Sequence, residues 1–246
     1  MYLRRTLLGG GGLYASGRRL NQAMAVYRVD ARHAEVACFG EHAADVVAKG
    51  SQGGGDIGCC EGCTRCELID LLKWWENYAD DNDGSLDNNP SPGNKAGGLT
   101  TILEKSLGAA AKGGHSDLVD VYRYAEPVTK RGFVFMDTPG YDPVSATGQV
   151  AGGANMICFT TGRGSAYGCK PAPSLKLATN TALFDRQEDD MDINCGVIVD
   201  GKASIEQVGQ QFFEMILKTA SGQPSKSEIF GYGEDEFAPW VLGPTM

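Results

Sequence analysis

Phe133-Val134-Phe135-Met136-Asp137-Thr138-Pro139-Gly140 is the stretch on which the fold turns. Four apolar residues in a row, with no polar member to face water, predict a strand covered on both sides. The Asp-Thr-Pro-Gly that follows predicts a tight turn at the strand's carboxyl end, where layered α/β proteins place ligands. Leu118–Tyr122, Asn155–Phe159, Leu175–Ala178 and Gly196–Val199 repeat the pattern, each with Gly, Pro, Asp or Asn at or near its ends, and read as further strands. Val144 to Gly153, rich in small residues, suits a closely packed crossover helix. Ser204 with Gln207 forms a capping-box pattern, and Ile205, Val208, Phe212, Met215 and Ile216 give the last long helix a buried stripe that Gly222 and Pro224 end. Upstream, Leu68, Leu71, Leu72, Trp75 and Tyr78 recur at helical spacing, the turn-rich stretch from Asp80 to Asn94 follows, and a second helix over Thr101 to Lys112 stops at Gly113-Gly114. Alternating strands and helices predict an α/β layered domain with a mostly parallel sheet flanked by helices.

The 246 residues suit one domain or one and a half, and 42% hydrophobic content is enough for a core. No apolar run approaches the ~18–20 residues that cross a bilayer, so a soluble, cytoplasmic chain is expected. A net charge of −9 argues against nucleic acid as a partner. The acidic excess is uneven: residues 1–29 hold five arginines and no acid, a composition shared with organellar transit peptides. Residues 1–66 carry Gly9-Gly10-Gly11-Gly12 and Gly53-Gly54-Gly55 and sustain no helical or strand period, so they read as a poorly ordered or unrelated extension. Residues 67–246 read as the folded domain.

Several local motifs compete for chemistry. The Asp137 turn is similar to the magnesium-side Asp-Thr-Pro-Gly of GTPases, but no G-x-x-x-x-G-K-[ST] loop occurs in the sequence to cradle phosphates. Thr160-Thr161-Gly162-Arg163-Gly164-Ser165 follows a strand with hydroxyls, backbone N–H groups and a guanidinium suited to a carboxylate; a solvated turn has the same composition. Cys169-Lys170-Pro171-Ala172-Pro173 presents a lysine on a stiff loop. The acidic run Asp189 to Asn194 either binds a cation or sits in water, and Asp80 to Gly84 fails the EF-hand spacing. Cys60, Cys63 and Cys66 have a spacing seen in zinc and iron–sulfur ligation without a fourth ligand nearby; reduced thiols are expected throughout.

A wider pattern joins these fragments. Asn89 to Thr101, Glu104 to Gly108, Lys112 to Gly114, Met136 to Gly140, Gly148 to Gly153, Thr160 to Ser165, Lys170 to Pro173, Thr179 to Thr181 and Met191 to Asn194 resemble, in order, the altronate/galactarate dehydratase family. The resemblance implies a hydro-lyase that removes water from a sugar acid to give a 2-keto-3-deoxy acid, with a divalent metal, Fe2+, as cofactor. It implies that this chain corresponds to the C-terminal part of the catalytic region, working as a fragment or beside a partner chain that supplies the upstream regions. A non-catalytic homologue and a sulfo-lyase acting on a sulfo-hydroxy acid are the alternatives. Such chemistry needs a base for the proton α to the carboxylate, a cation for the resulting enediolate and an acid for the departing hydroxyl. Within it, Lys95 and Lys170 are the candidates for base or enediolate stabiliser and Asp137 for acid/base or metal ligand. Asn94, Thr160, Thr161, Arg163, Asn180 and Asn194 would bind carboxylate and hydroxyls. The metal ligands are not assignable: His33, His42 and His115 fall outside the matched motifs.

Overall fold

Why the apolar runs become strands is visible in their alternation. The computed structural model describes residues 23–29, 34–39, 64–84 and 118–242. Seven strands, β1 (Ala23–Val29), β2 (Ala34–Phe39), β3 (Leu118–Tyr122), β4 (Phe133–Met136), β5 (Met156–Thr161), β6 (Ser174–Ala178) and β7 (Ile193–Asn194), form one sheet in the order β3-β4-β2-β1-β5-β6-β7. β1 pairs antiparallel with both neighbours and all other pairs are parallel, as expected of a mostly parallel sheet. Two reversals cancel, so β3, β4, β5, β6 and β7 all point the same way and their carboxyl ends share one edge.

The helices among the described residues are α1 (Thr64–Asp81), α2 (Asp142–Ala151), α3 (Thr181–Arg186), α4 (Gly196–Val199), α5 (Ile205–Ala220) and α6 (Lys226–Ile229). Alternate residues of β4 and β5 feed opposite layers. Phe135 packs on Leu68 of α1, and Met156 and Cys158 join Val208, Phe212 and Ile216 of α5. On the other face Val134, Met136, Ile157 and Phe159 pack with Ala146 of α2 and with Tyr167 and Cys169 of the β5–β6 connection. This double covering makes an all-apolar strand such as Phe133–Met136 stable, since every residue of β4 is buried. The α5 capping box forms as the spacing predicts, with Gln207 N–H on Ser204 Oγ and Ser204 N–H on Gln207 Oε1.

Three readings are corrected. Gly196–Val199 is one turn of helix, α4, and not a strand. The Asn194 side-chain oxygen accepts the Gly196 N–H (2.9 Å), which bends the chain at once, and a Cβ on Gly196 would lie 2.1 Å from the Thr181 nitrogen. Strand pairing therefore ends at Asn194. In the N-terminal stretch, β1 and β2 form strands at the centre of the sheet, where no sustained period is legible. Contrary to the expectation of reduced thiols, Cys66 is disulfide-bonded; Cys158, Cys169 and Cys195 are free and buried. The second helix expected over 101–112 lies outside the described residues. Among the described residues no helix is long and apolar enough to cross a membrane.

Candidate active site at the carboxyl end of β4

Asp137 follows the last residue of β4 and is 5% exposed. Its backbone N–H donates to the Tyr122 carbonyl (2.8 Å), continuing the β3–β4 ladder for one residue and fixing where the carboxyl emerges. The indole Nε1 of Trp75 donates to both carboxyl oxygens, at 2.8 and 3.0 Å. Helical spacing explains the reach: Leu68 sits on Phe135, and Trp75, two turns further along the same face of α1, arrives beside the residue two places along the strand. Burial pushes the Asp137 carboxyl up to about 6, against the pull of the Trp75 hydrogen bond and the nearby Arg123 charge. A carboxyl in that range exchanges protons near neutral pH, which an ordinary exposed aspartate does poorly.

The next residues tie the turn to α2. Thr138 Oγ1 lies 2.8 Å from Ser145 Oγ, which accepts from Gln149 Nε2 at 2.9 Å. Gly148 leaves room for the Tyr124 ring, where a Cβ would sit 2.4 Å from a ring carbon, and the Tyr124 hydroxyl donates to the Val144 carbonyl. Tyr124 in turn meets Trp240 edge-on, and Trp240 stacks on Trp75 with ring centroids 5.4 Å apart. The C-terminal tail is held in place by the Ala238 N–H, which donates to Thr147 Oγ1 of α2. Together these elements enclose a cleft of about 660 Å³ lined by Glu67, Asp70, Leu71, Trp74, Val121, Tyr122, Arg123, Tyr124, Glu126, Asp137 and Trp240.

The other residues singled out in the sequence fall elsewhere. Thr160, Thr161, Arg163, Asn180 and Asn194 share the carboxyl edge with Asp137, but β2 and β1 intervene between β4 and β5, a lateral separation of about 14 Å. Thr161 is fully buried, its hydroxyl accepting from Gly164 N–H and its carbonyl from Thr179. Asn180 caps α3 through Leu183 N–H and donates to the Gly162 carbonyl. Asn194 holds the α4 turn and meets Thr181 Oγ1 at 3.2 Å. Arg163 is exposed, with its carbonyl bonded by Arg186. Lys170 lies near the amino end of β6, across the sheet from Asp137, and forms an exposed ion pair with Glu234 (2.7 Å). Asn94 and Lys95 lie outside the described residues.

Sequence reasoning missed most of the cleft. Trp75 reads as core, and Arg123, Tyr124, Glu126 and Trp240 sit in segments with no motif. The rare residue offered the available signal: the chain's three tryptophans all gather here. The fully buried Lys176 also escaped notice. Its amine has no hydrogen-bond partner and burial lowers its pKa, but it lies on β6, four strands from β4. Among the described residues no three His, Cys, Asp or Glu side chains converge to hold a metal ion, so they do not by themselves fit the Fe2+ that the resemblance implies.

The family model for the C-terminal region of D-galactarate/altronate dehydratase matches residues 59–245. The chain belongs to this dehydratase family. Galactarate dehydratase (L-threo-forming) of Escherichia coli is 45% identical over 156 residues, 63% of this chain and 30% of the relative. Altronate dehydratase of Bacillus subtilis is 36% identical over 157 residues, 64% of this chain and 31% of the relative. The beta subunit of (2R)-sulfolactate sulfo-lyase of Chromohalobacter salexigens is 34% identical over 146 residues, 59% of this chain and 38% of the relative. The chain thus spans about a third of the length of the curated relatives it matches. In galactarate/altronate dehydratase terms, Asp137, the Gly148-Gln149 segment and Trp240 all fall within the matched region.

Proposed function

We propose that this chain provides acid–base chemistry for dehydration of a sugar acid of the galactarate or altronate type to its 2-keto-3-deoxy product. The observation that carries the reading is Asp137, a buried carboxyl at a parallel-strand end, raised to about 6 and oriented by Trp75. Membership of a family whose curated relatives are named galactarate and altronate dehydratase supplies the reaction class.

The reaction begins with removal of the proton on C2, α to the carboxylate, and Lys95 in its Asn-Lys-Ala-Gly-Gly setting is the residue we assign to it. The electron pair forms the enediolate, the C3–O bond breaks, and Asp137 delivers its proton to the departing hydroxyl, which leaves as water. The enol then tautomerises to the 2-keto acid. Trp75 donates to both carboxyl oxygens and so fixes the orientation of the Asp137 carboxyl beside the cleft. Lys170 takes no part in this scheme, being paired with Glu234 near the other edge of the sheet. No step is routed through a metal.

One relative is named as a subunit, which favours a second reading in which the chain needs a partner to complete the site. Purified protein incubated with D-galactarate or D-altronate and assayed for 2-keto-3-deoxy acid tests the first reading. Product formation that Asp137→Asn cuts at least a hundredfold supports it; wild-type turnover in that variant overturns it. Turnover that appears only when the remaining region of a relative is added moves the conclusion to the second reading.

A further inference from the structure

The cleft around Asp137 has an unusual lining for an acidic protein: aromatic faces, several carboxylates and a single cation. Arg123 is that cation among the described residues. Its backbone N–H is taken by Glu126 Oε2 at 2.9 Å, which fixes the strand end, while its exposed guanidinium meets no carboxylate at ion-pair distance. It is close enough to Asp137 to pull that carboxyl's pKa downward, so the free guanidinium and the proton-transfer group face the same space. A planar fork with all its donors free is matched to a carboxylate.

The rest of the lining suits the remainder of a polyhydroxy acid. Trp74, 43% exposed, and Trp240 offer π-faces to C–H bonds. Glu67 and Glu126 offer acceptors to hydroxyl donors. Trp240 has a buried indole N–H with no hydrogen-bond partner, a donor that an acceptor on a bound molecule would satisfy after a small shift of the ring. This combination suits a polyhydroxy carboxylate better than a neutral polyol.

We propose that Arg123 anchors the carboxylate next to the reacting carbons of a sugar acid, with the carbon chain laid against Trp74 and Trp240 and its hydroxyls directed to the flanking carboxylates. The assignment rests on the dehydratase reading above and moves the carboxylate contact expected of Arg163 to the other end of the sheet.

The three tryptophans make the test direct, because all of them cluster at this cleft and no others exist in the chain. Tryptophan emission of the full chain is titrated with D-galactarate and, separately, with galactitol, which keeps the hydroxyls and lacks both carboxylates. The expected result is saturable change with galactarate at least tenfold tighter than with galactitol. In Arg123→Gln the galactarate affinity should fall at least tenfold, to the galactitol level, with partial recovery in Arg123→Lys. Arg123 is exposed, so circular dichroism should show the fold unchanged. Wild-type galactarate affinity in Arg123→Gln overturns the anchor. Turnover of galactarate with no change in emission overturns the cleft as the site while leaving the dehydratase reading intact. Arg123-dependent binding combined with full turnover in Asp137→Asn keeps the anchor and removes the proposed acid.

Discussion

Asp137 is held in a form that costs the fold stability. Its pKa in the folded chain, about 6, lies above the ordinary 3.8. The native state therefore binds the proton more tightly than the unfolded chain does. The stabilising contribution is complete below pH 3.8 and is lost as pH rises through about 6, a swing on the order of 3 kcal/mol. Asp137→Asn, which can still accept from Trp75 and never ionises, is expected to be more stable than wild type at pH 8 by about 2–3 kcal/mol, with the gap closing below pH 4. Urea midpoints at the two pH values check this; equal midpoints at pH 8 would mean that the carboxyl is not strained. Trp75→Phe removes a donor that favours the ionised form, so the Asp137 pKa should rise further, measurable by carboxyl carbon NMR. In the scheme proposed above the two steps use different residues, so in deuterated water Asp137→Asn should still exchange the C2 proton of galactarate while failing to release water; loss of both would join the roles in one side chain.

At the scale of elements, legibility followed how strongly each segment's local pattern outweighed alternatives. β4 was readable because four buried apolar residues run straight into a turn. α5 was readable because its cap, stripe and terminator agree. Gly196–Val199 was not, since four apolar residues fit a buried strand or a helical turn equally well, and the decision lies in Asn194 bonding the Gly196 N–H. β1, with two alanines, two valines, one methionine, one tyrosine and one arginine, has too weak an alternation to declare itself and is placed by pairing with β2 and β5. The Asp137 half of the site was legible as a strand end, but the Trp240 tail was not, because it has no period and is fixed by distant contacts to Thr147 and Trp75. Two substitutions test the element account. Gly196→Ala forces a Cβ against the backbone of Asn180 and Thr181, which cannot yield, and should cost about 3 kcal/mol or more. Ser204→Ala removes one capping acceptor of α5 and should cost about 1 kcal/mol. Thermal melts distinguish the two; similar small losses would mean that the α3–α4 contact is looser than drawn.

For the whole molecule, the sheet order determines which residues can cooperate. Insertion of β2 and β1 between β4 and β5 separates the Asp137 cleft from the Thr161, Asn180 and Asn194 cluster, although sequence motifs group them together. The second cluster spends most of its hydrogen bonds on building the β5–β6–β7 edge, so its glycine and asparagine pattern reflects turn construction visible in the structure. The chain covers 30% of the galactarate dehydratase it matches, and the Asp137 cleft is the part of the proposed reaction site that its described residues carry. The proposed role of Asp137, a proton-transfer carboxyl held by an indole, is read most directly by tryptophan emission followed from pH 3 to 9. The account predicts a transition centred near pH 6 in the wild-type chain that is absent in Asp137→Asn. A midpoint near pH 4, or a pH 6 transition that survives the substitution, would contradict it.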